Sequence, residues 1–285
     1  MKRTYEVRHI DARTHLISEN FLTTKCLMYL LEGDDEALLF DTGVGGGDLR
    51  GLVETLTDKP VTVVISHPHF DHVGANYQFD TCVFHEDDYA VYEMHKSPFY
   101  MREFSKTIPA YIRFAIQNKL EKMFSVKAWE PAYLVKEGHV FELGGRDVEV
   151  ILTPGHTAGG ICLLDRKNRW LFSGSTVCDD NVLLCIDGYF APEAFLDSML
   201  KLKAREAEYD KIYPAHYAWP LNIQWVEDYI RYAEGVLSGS LKPEPSLIGF
   251  PAPRNVRYGK ASLGIPRIPA GYKAPAGDIV TSYKA

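Results

Sequence analysis

Val61-Thr62-Val63-Val64-Ile65-Ser66-His67-Pro68-His69-Phe70-Asp71-His72 changes character at its midpoint. The first five residues are nearly all β-branched and aliphatic, which favours a short buried strand. The residues that follow carry three imidazoles and a carboxylate to the end of that strand, where an α/β scaffold usually places its chemistry. His67 and His69 alternate along an extended or turning segment, so both rings can converge on one point. Asp71 and His72 follow at once and must point elsewhere, as a second cation beside the first would require. Imidazole with carboxylate suits zinc, manganese or iron, and no cysteine lies in this stretch to narrow the choice. The bland alternative is a polar loop of surface histidines. Three His and one Asp within six residues at a strand end make that a poor account.

Upstream, Thr24 to Leu31 and Ala37 to Phe40 read as buried strands about a Gly33-Asp34-Asp35 turn. The second ends in Asp41-Thr42-Gly43 and a glycine-rich loop. Asp48 can then cap a helix to about Leu56. Downstream, a helix is expected near Val73 to Tyr77, a strand at Thr81 to His85, and helical periodicity from about Glu86 to Phe124, interrupted by Pro109. The aromatic run in this insertion, around residues 90–130, suits either a lid over a pocket or ordinary core. A second strand-rich section opens near Tyr133. Val148 to Leu152 leads into Thr153-Pro154-Gly155-His156, and Ile161 to Leu164 with Trp170 to Phe172 suggest a hairpin. Helices at Pro192 to Glu208 and Ile223 to Leu237 flank a strand at Lys211 to Tyr213. Strands followed by helices, twice over, suggest two similar halves packed as a sandwich.

Taken together, these motifs resemble those of the metallo-β-lactamase superfamily. His67 to His72 is similar to its HxHxDH signature, and Asp41-Thr42-Gly43 to the aspartate turn before it. Thr153 to Gly160 is similar to the downstream PGHT motif, and Pro214-Ala215-His216 to the final ligand loop. The resemblance implies an α/β fold of the four-layer αββα type, with the site at one edge between the sheets. It implies His67, His69 and His156 on a first metal, and Asp71, His72 and His216 on a second, with Asp71 and His72 closest to catalysis. It further implies a hydrolase that uses a metal-bound hydroxide on an ester-like bond, such as a lactone or thioester in a small-molecule substrate. The cofactor expected is one or two zinc ions, with iron or manganese as alternatives. Asp41 is expected to orient the histidine loop through hydrogen bonds.

One position departs from the pattern. Members of the family it resembles usually carry a bridging aspartate after the glycine that here is Gly174, and this chain has Ser175. A hydroxyl offsets no metal charge, so a second cation should bind more weakly or find another anion. Asp179 and Asp180 are near in sequence but offset by four or five residues. Ser175 keeps open a metal-containing binding or regulatory protein without turnover. An iron dioxygenase relative is less favoured, because that branch carries the aspartate.

The bulk properties fit a globular domain. Of 285 residues, 46% are hydrophobic and 24% charged, and the net charge of −7 argues against a general nucleic-acid binder. The N-terminal residues are charged and lack an apolar run of signal-peptide length, and no window is apolar enough to span a membrane, so a cytoplasmic protein is expected. The five scattered cysteines read as reduced core thiols. Residues 1–242 should form the domain. Residues 243–285, with seven prolines and six Lys/Arg, should form an extension packing on it or on a neighbouring subunit of a homo-oligomer.

Overall fold

The computed structural model describes residues 5–21, 24–96, 128–179, 181–184, 191–241, 254–258 and 261–265. The helical periodicity expected beyond Lys96 and the aromatic run of the insertion lie outside these residues, as does Asp180.

A seven-stranded sheet is built in chain order from β1 (Tyr5–Asp11), β2 (Thr14–Phe21), β3 (Thr24–Glu32), β4 (Ala37–Phe40), β5 (Val61–Val64), β6 (Cys82–His85) and β7 (Tyr133–Val135). Neighbours are antiparallel as far as β4 and parallel from β4 to β7. The second sheet holds β8 (Val140–Glu142), β9 (Asp147–Leu152), β10 (Ile161–Asp165), β11 (Trp170–Gly174) and β13 (Lys211–Pro214), with β13 parallel to β11 at its edge. Helices α1 (Leu49–Glu54), α2 (Phe70–Val73) and α3 (Tyr89–Lys96) belong to the first half, α4 (Pro192–Ala204) and α5 (Gln224–Leu237) to the second. A third, small sheet joins β12 (Asn181–Leu183) to β15 (Ala261–Ile265) and β14 (Arg254–Tyr258), so part of the proline-rich extension pairs with the domain.

Side-chain alternation along the strands gives the layers their order. On β3, Leu27, Tyr29 and Leu31 enter a core shared with Val148, Val150, Leu163 and Phe172 of the opposite sheet. Met28 and Leu30 face the other way, onto a core containing Leu49 and Val53 of α1 and Tyr92 of α3. Across the molecule, Ile151, Cys162, Leu164 and Leu171 face outward onto Phe195, Met199 and Leu202 of α4 and Tyr229 and Tyr232 of α5. Each sheet is therefore covered on both faces, which accounts for the almost unbroken apolar runs at β4 and β10. The architecture is the αββα sandwich.

Local chemistry sets the element ends. The Asp48 side chain accepts from Gly51 N at 2.9 Å and caps α1. The helix expected at Val73 to Tyr77 is instead α2 at Phe70–Val73 with a separate 3-10 turn at Asn76–Gln78. The Gly74 backbone packs directly on Val44 and Gly45, where a Cβ would lie 2.2 Å from the Val44 carbonyl carbon. The long helix expected to reach Glu208 stops at Ala204, followed by a 3-10 turn at Glu206–Glu208. Among the described residues, no helix is long and apolar enough to cross a membrane.

Candidate metal centre

The site lies where several strand ends meet. The loop after β5 carries Ser66 to His69 and leads into α2, which carries Asp71 and His72; the loop after β9 carries His156, and Ser175 follows β11. His216 follows β13, and an isolated bridge pairs it with Cys26 on β3.

Ring nitrogens of three histidines meet at one point. His156 Nε2 lies 3.0 Å from His67 Nε2 and 3.1 Å from His69 Nδ1, and all three residues are buried. A single proton on His156 Nε2 could serve one of those neighbours but not both, and lone pairs at this separation repel. A cation between them removes the conflict. Tetrahedral zinc with bonds of 2.0–2.1 Å would hold its nitrogen ligands about 3.3–3.4 Å apart, close to the observed spacing. Burial, reinforced by the imidazoles of His72, His156 and His69, pushes His67 well below its ordinary pKa. His67 therefore favours the neutral ring, the form that binds metal.

Asp41 sets the orientation of this cluster. Its Oδ1 accepts from Ser66 N at 2.7 Å, and its Oδ2 accepts from Ser66 Oγ and His72 Nδ1, both at 2.8 Å. Ser66 has spent its one hydroxyl proton on Asp41, so at 3.0 Å its oxygen accepts from His67 Nδ1. The Nε2 lone pairs of His67 and His72 are thereby left for a ligand. His216 follows the same rule, its Nδ1 donating to the Lys25 carbonyl at 3.1 Å. Asp41 itself has a φ of 66°, a left-handed conformation that aspartate tolerates better than most residues.

Beside the three histidines lies a second group of donor atoms. Cys26 Sγ, an Asp71 carboxylate oxygen and a His216 ring nitrogen all lie within 4.8 Å of one another. His72 Nε2 stands 3.8 Å from Asp71 Oδ1 and 3.4 Å from Ser175 Oγ. Burial alone would raise the Asp71 carboxyl, but His72, His216 and His69 outweigh it and bring it down to about 2. Burial opposes the charged form of His72, yet Asp41 and Asp71 raise its pKa overall. His216 moves the other way, lowered by burial despite Asp71 nearby. The sequence marks Cys26 as a core thiol; the structure seats it among metal-type donors. Asp179 uses Oδ1 to accept from Ala218 N at 3.1 Å, and it is not a member of this donor group.

Two supporting carboxylates carry no recognisable motif in the sequence. Asp88, fully buried in the 3-10 turn Glu86–Asp88, accepts from Thr157 Oγ1 and Gly159 N, each at 2.7 Å, and so anchors the loop of His156. Glu19 accepts from Val44 N and Gly46 N and fixes the glycine-rich loop after Asp41. His95 is buried, with its ring centroid 4.8 Å from that of His69. Within the His156 loop, Gly155 has a φ of 148° and abuts Phe195, where a Cβ would meet a ring carbon at 2.7 Å.

The sequence profile of the metallo-beta-lactamase superfamily matches residues 23–216. The chain belongs to the metallo-β-lactamase superfamily. Among superfamily members, an acyl-coenzyme A thioesterase of Homo sapiens, MBLAC2, is 29% identical over 171 residues, which is 55% of this chain and 60% of that protein. The chain thus spans about 60% of the length of this thioesterase and of its Bos taurus counterpart. BaeB of Bacillus velezensis, named a probable polyketide biosynthesis zinc-dependent hydrolase, is 24% identical over 216 residues, 76% of this chain and 80% of that protein. A superfamily protein of Thermus thermophilus superposes with a TM-score of 0.60 at 19% identity, covering 83% of this chain and 85% of that one. A metallo-beta-lactamase of Pontibacter korlensis gives 0.59 at 17%, covering 81% and 99%. These likenesses carry the fold.

Proposed function

We propose that this member of the superfamily is a zinc-dependent hydrolase of ester-like bonds in small molecules, with acyl thioesters its first candidate substrates. The observation that carries the reading is the approach of His156 Nε2 to 3.0 Å from a ring nitrogen of His67 and 3.1 Å from one of His69. These three residues would hold a first cation, and Asp71, His72 and His216 would serve a second. A divalent cation in such a site supplies Lewis-acid polarisation and lowers the pKa of bound water to about 7. The chain's own residues orient and balance the site. Asp41 fixes the tautomers of His72 directly and of His67 through Ser66. Asp71 contributes an ionised carboxylate, and Asp88 holds the loop of His156 in place. The thioester preference draws on the name of the human relative, and the zinc dependence on the name zinc-dependent hydrolase given to BaeB.

The test is a substrate panel on protein of known metal content. Acyl-coenzyme A thioesters, lactones, simple esters and phosphodiesters are assayed on zinc-loaded, chelator-stripped and reloaded protein. The reading expects zinc-dependent turnover, fastest with a thioester, abolished by stripping and restored by zinc. Metal-loaded protein that turns over none of the probes would support instead a binding protein, the reading that Ser175 favours. Protein that takes up no metal would end both.

A further inference from the structure

Cys26 sits in the site for reasons that begin with strand pairing. The first part of β3 meets the end of β13 and the residues after it: Cys26 pairs with His216, Leu27 N donates to Ala215 O at 2.7 Å, and Tyr29 Oη donates to Pro214 O at 2.6 Å. The same contact lets His216 Nδ1 donate to the Lys25 carbonyl, which turns His216 Nε2 toward Asp71, 3.6 Å from Oδ2. Sγ of Cys26 shares this space, within 4.8 Å of both ligating atoms, and the residue is 2% exposed. Other buried cysteines have a different setting. Cys82 lies in the core under α1 and α3, and Cys162 in the core under α4 and α5. Among the described residues, Cys26 is the cysteine whose Sγ groups with a histidine nitrogen and a carboxylate oxygen, all within 4.8 Å of one another.

Charge gives this placement a purpose. Two divalent cations bring four positive charges. Asp41 is committed to Ser66 and His72, and Ser175 contributes a neutral hydroxyl 3.4 Å from His72 Nε2. Asp71 alone is a sparse counter-charge. A coordinated thiol is held as thiolate, its proton passing to solvent, and so adds the missing negative charge.

We propose that Cys26 is a ligand of the second cation, together with Asp71 and His216, and that it supplies the anion absent at position 175. This rests on the metal-dependent reading above and deepens it. A thiolate also selects zinc over manganese at this position, because hard cations prefer oxygen donors.

Cobalt(II) titration of the stripped protein tests it without any activity measurement. The first equivalent is expected to fill the three-histidine cluster and show ligand-field bands alone. The second is expected to bring a near-ultraviolet thiolate-to-cobalt charge-transfer band. In Cys26→Ala the first equivalent should bind as before, while the band disappears and the second equivalent binds at least about tenfold more weakly, the lower end of what losing even an outer support costs a metal site. Two bound equivalents without the band, or a band that survives in Cys26→Ala, would overturn the proposal while leaving the metal-dependent reading intact. Uptake of a single equivalent without the band would overturn it likewise. No uptake at all would defeat the underlying reading as well. Because the band is read first on the wild-type chain, the test stands even if Cys26→Ala fails to fold.

Discussion

Asp41 Oδ2 accepts hydrogen bonds from both His72 Nδ1 and Ser66 Oγ at 2.8 Å, and through Ser66 the same carboxylate reaches His67. One buried side chain thereby sets the proton positions of two rings aimed at different cation positions. Asp41→Asn keeps the left-handed backbone acceptable but replaces one acceptor oxygen with a donor. The variant should bind zinc about 10–100-fold more weakly, the usual effect of losing an outer partner of a ligating histidine. Competition against a chromophoric chelator measures this, and unchanged affinity would show that Asp41 serves only the fold.

Ser175→Asp introduces a carboxylate next to His72 Nε2. The added charge should tighten the second equivalent of zinc and raise turnover on whichever ester-like probe the wild type accepts. Metal content and rate, measured on both proteins with zinc supplied, check the idea. Equal values in the two would refute the charge argument.

Asp88→Ala removes the acceptor for Thr157 Oγ1 and Gly159 N in a fully buried setting. An unsatisfied buried donor costs about 1–3 kcal/mol, so the melting temperature should fall. The metal effect should fall on one position. His156 loses its anchored loop, while Asp71 and His216 keep their own supports. Calorimetric titration with zinc should therefore show the high-affinity step weakened. A lowered melting temperature with both binding steps unchanged would confine Asp88 to stability.

Glu208 offers a pH signature away from the metal centre. Its hydrogen bond from Arg205, with a further one from Arg166, outweighs partial burial and depresses the carboxyl from 4.5 to about 2. For a depressed acid, the unfolded chain binds the proton more readily, so the stabilisation is fully present above about pH 4.5 and is lost as pH falls toward about 2. Glu208→Gln should be less stable than wild type at neutral pH, and the difference should shrink across that interval. Urea unfolding at several pH values reads it out, and a difference independent of pH would contradict the assignment.

Two halves packed as a sandwich were legible because the strands are short and almost wholly apolar, as at Val61–Val64 and Ile161–Asp165, and the family resemblance supplied the four-layer plan. The family motifs located the loops that hold His67, His69, His156, Asp71, His72 and His216, since each follows a strong strand. Helix limits were less legible. The turn at Gly74 depends on backbone contact with Val44 and Gly45, which no local pattern announces. Asp88 and Glu19 act on loops 71 and at least 25 residues away in sequence, so their roles emerge only when the sheets are assembled. Cys26 escaped for the same reason. On β3 it reads as one more apolar strand residue, and its partner His216 comes 190 positions later.

The histidines that face one another arise from opposite sides of the sandwich: His67 and His69 follow a strand of the seven-stranded sheet, and His156 follows one of the five-stranded sheet. A bound ion would rivet the two slabs together and gauge their spacing. A core substitution that let one slab slide by half an ångström would be felt as a distorted coordination shell long before it unfolded the chain. Metal affinity in this protein should thus double as a sensitive ruler for interior repacking far from any ligand.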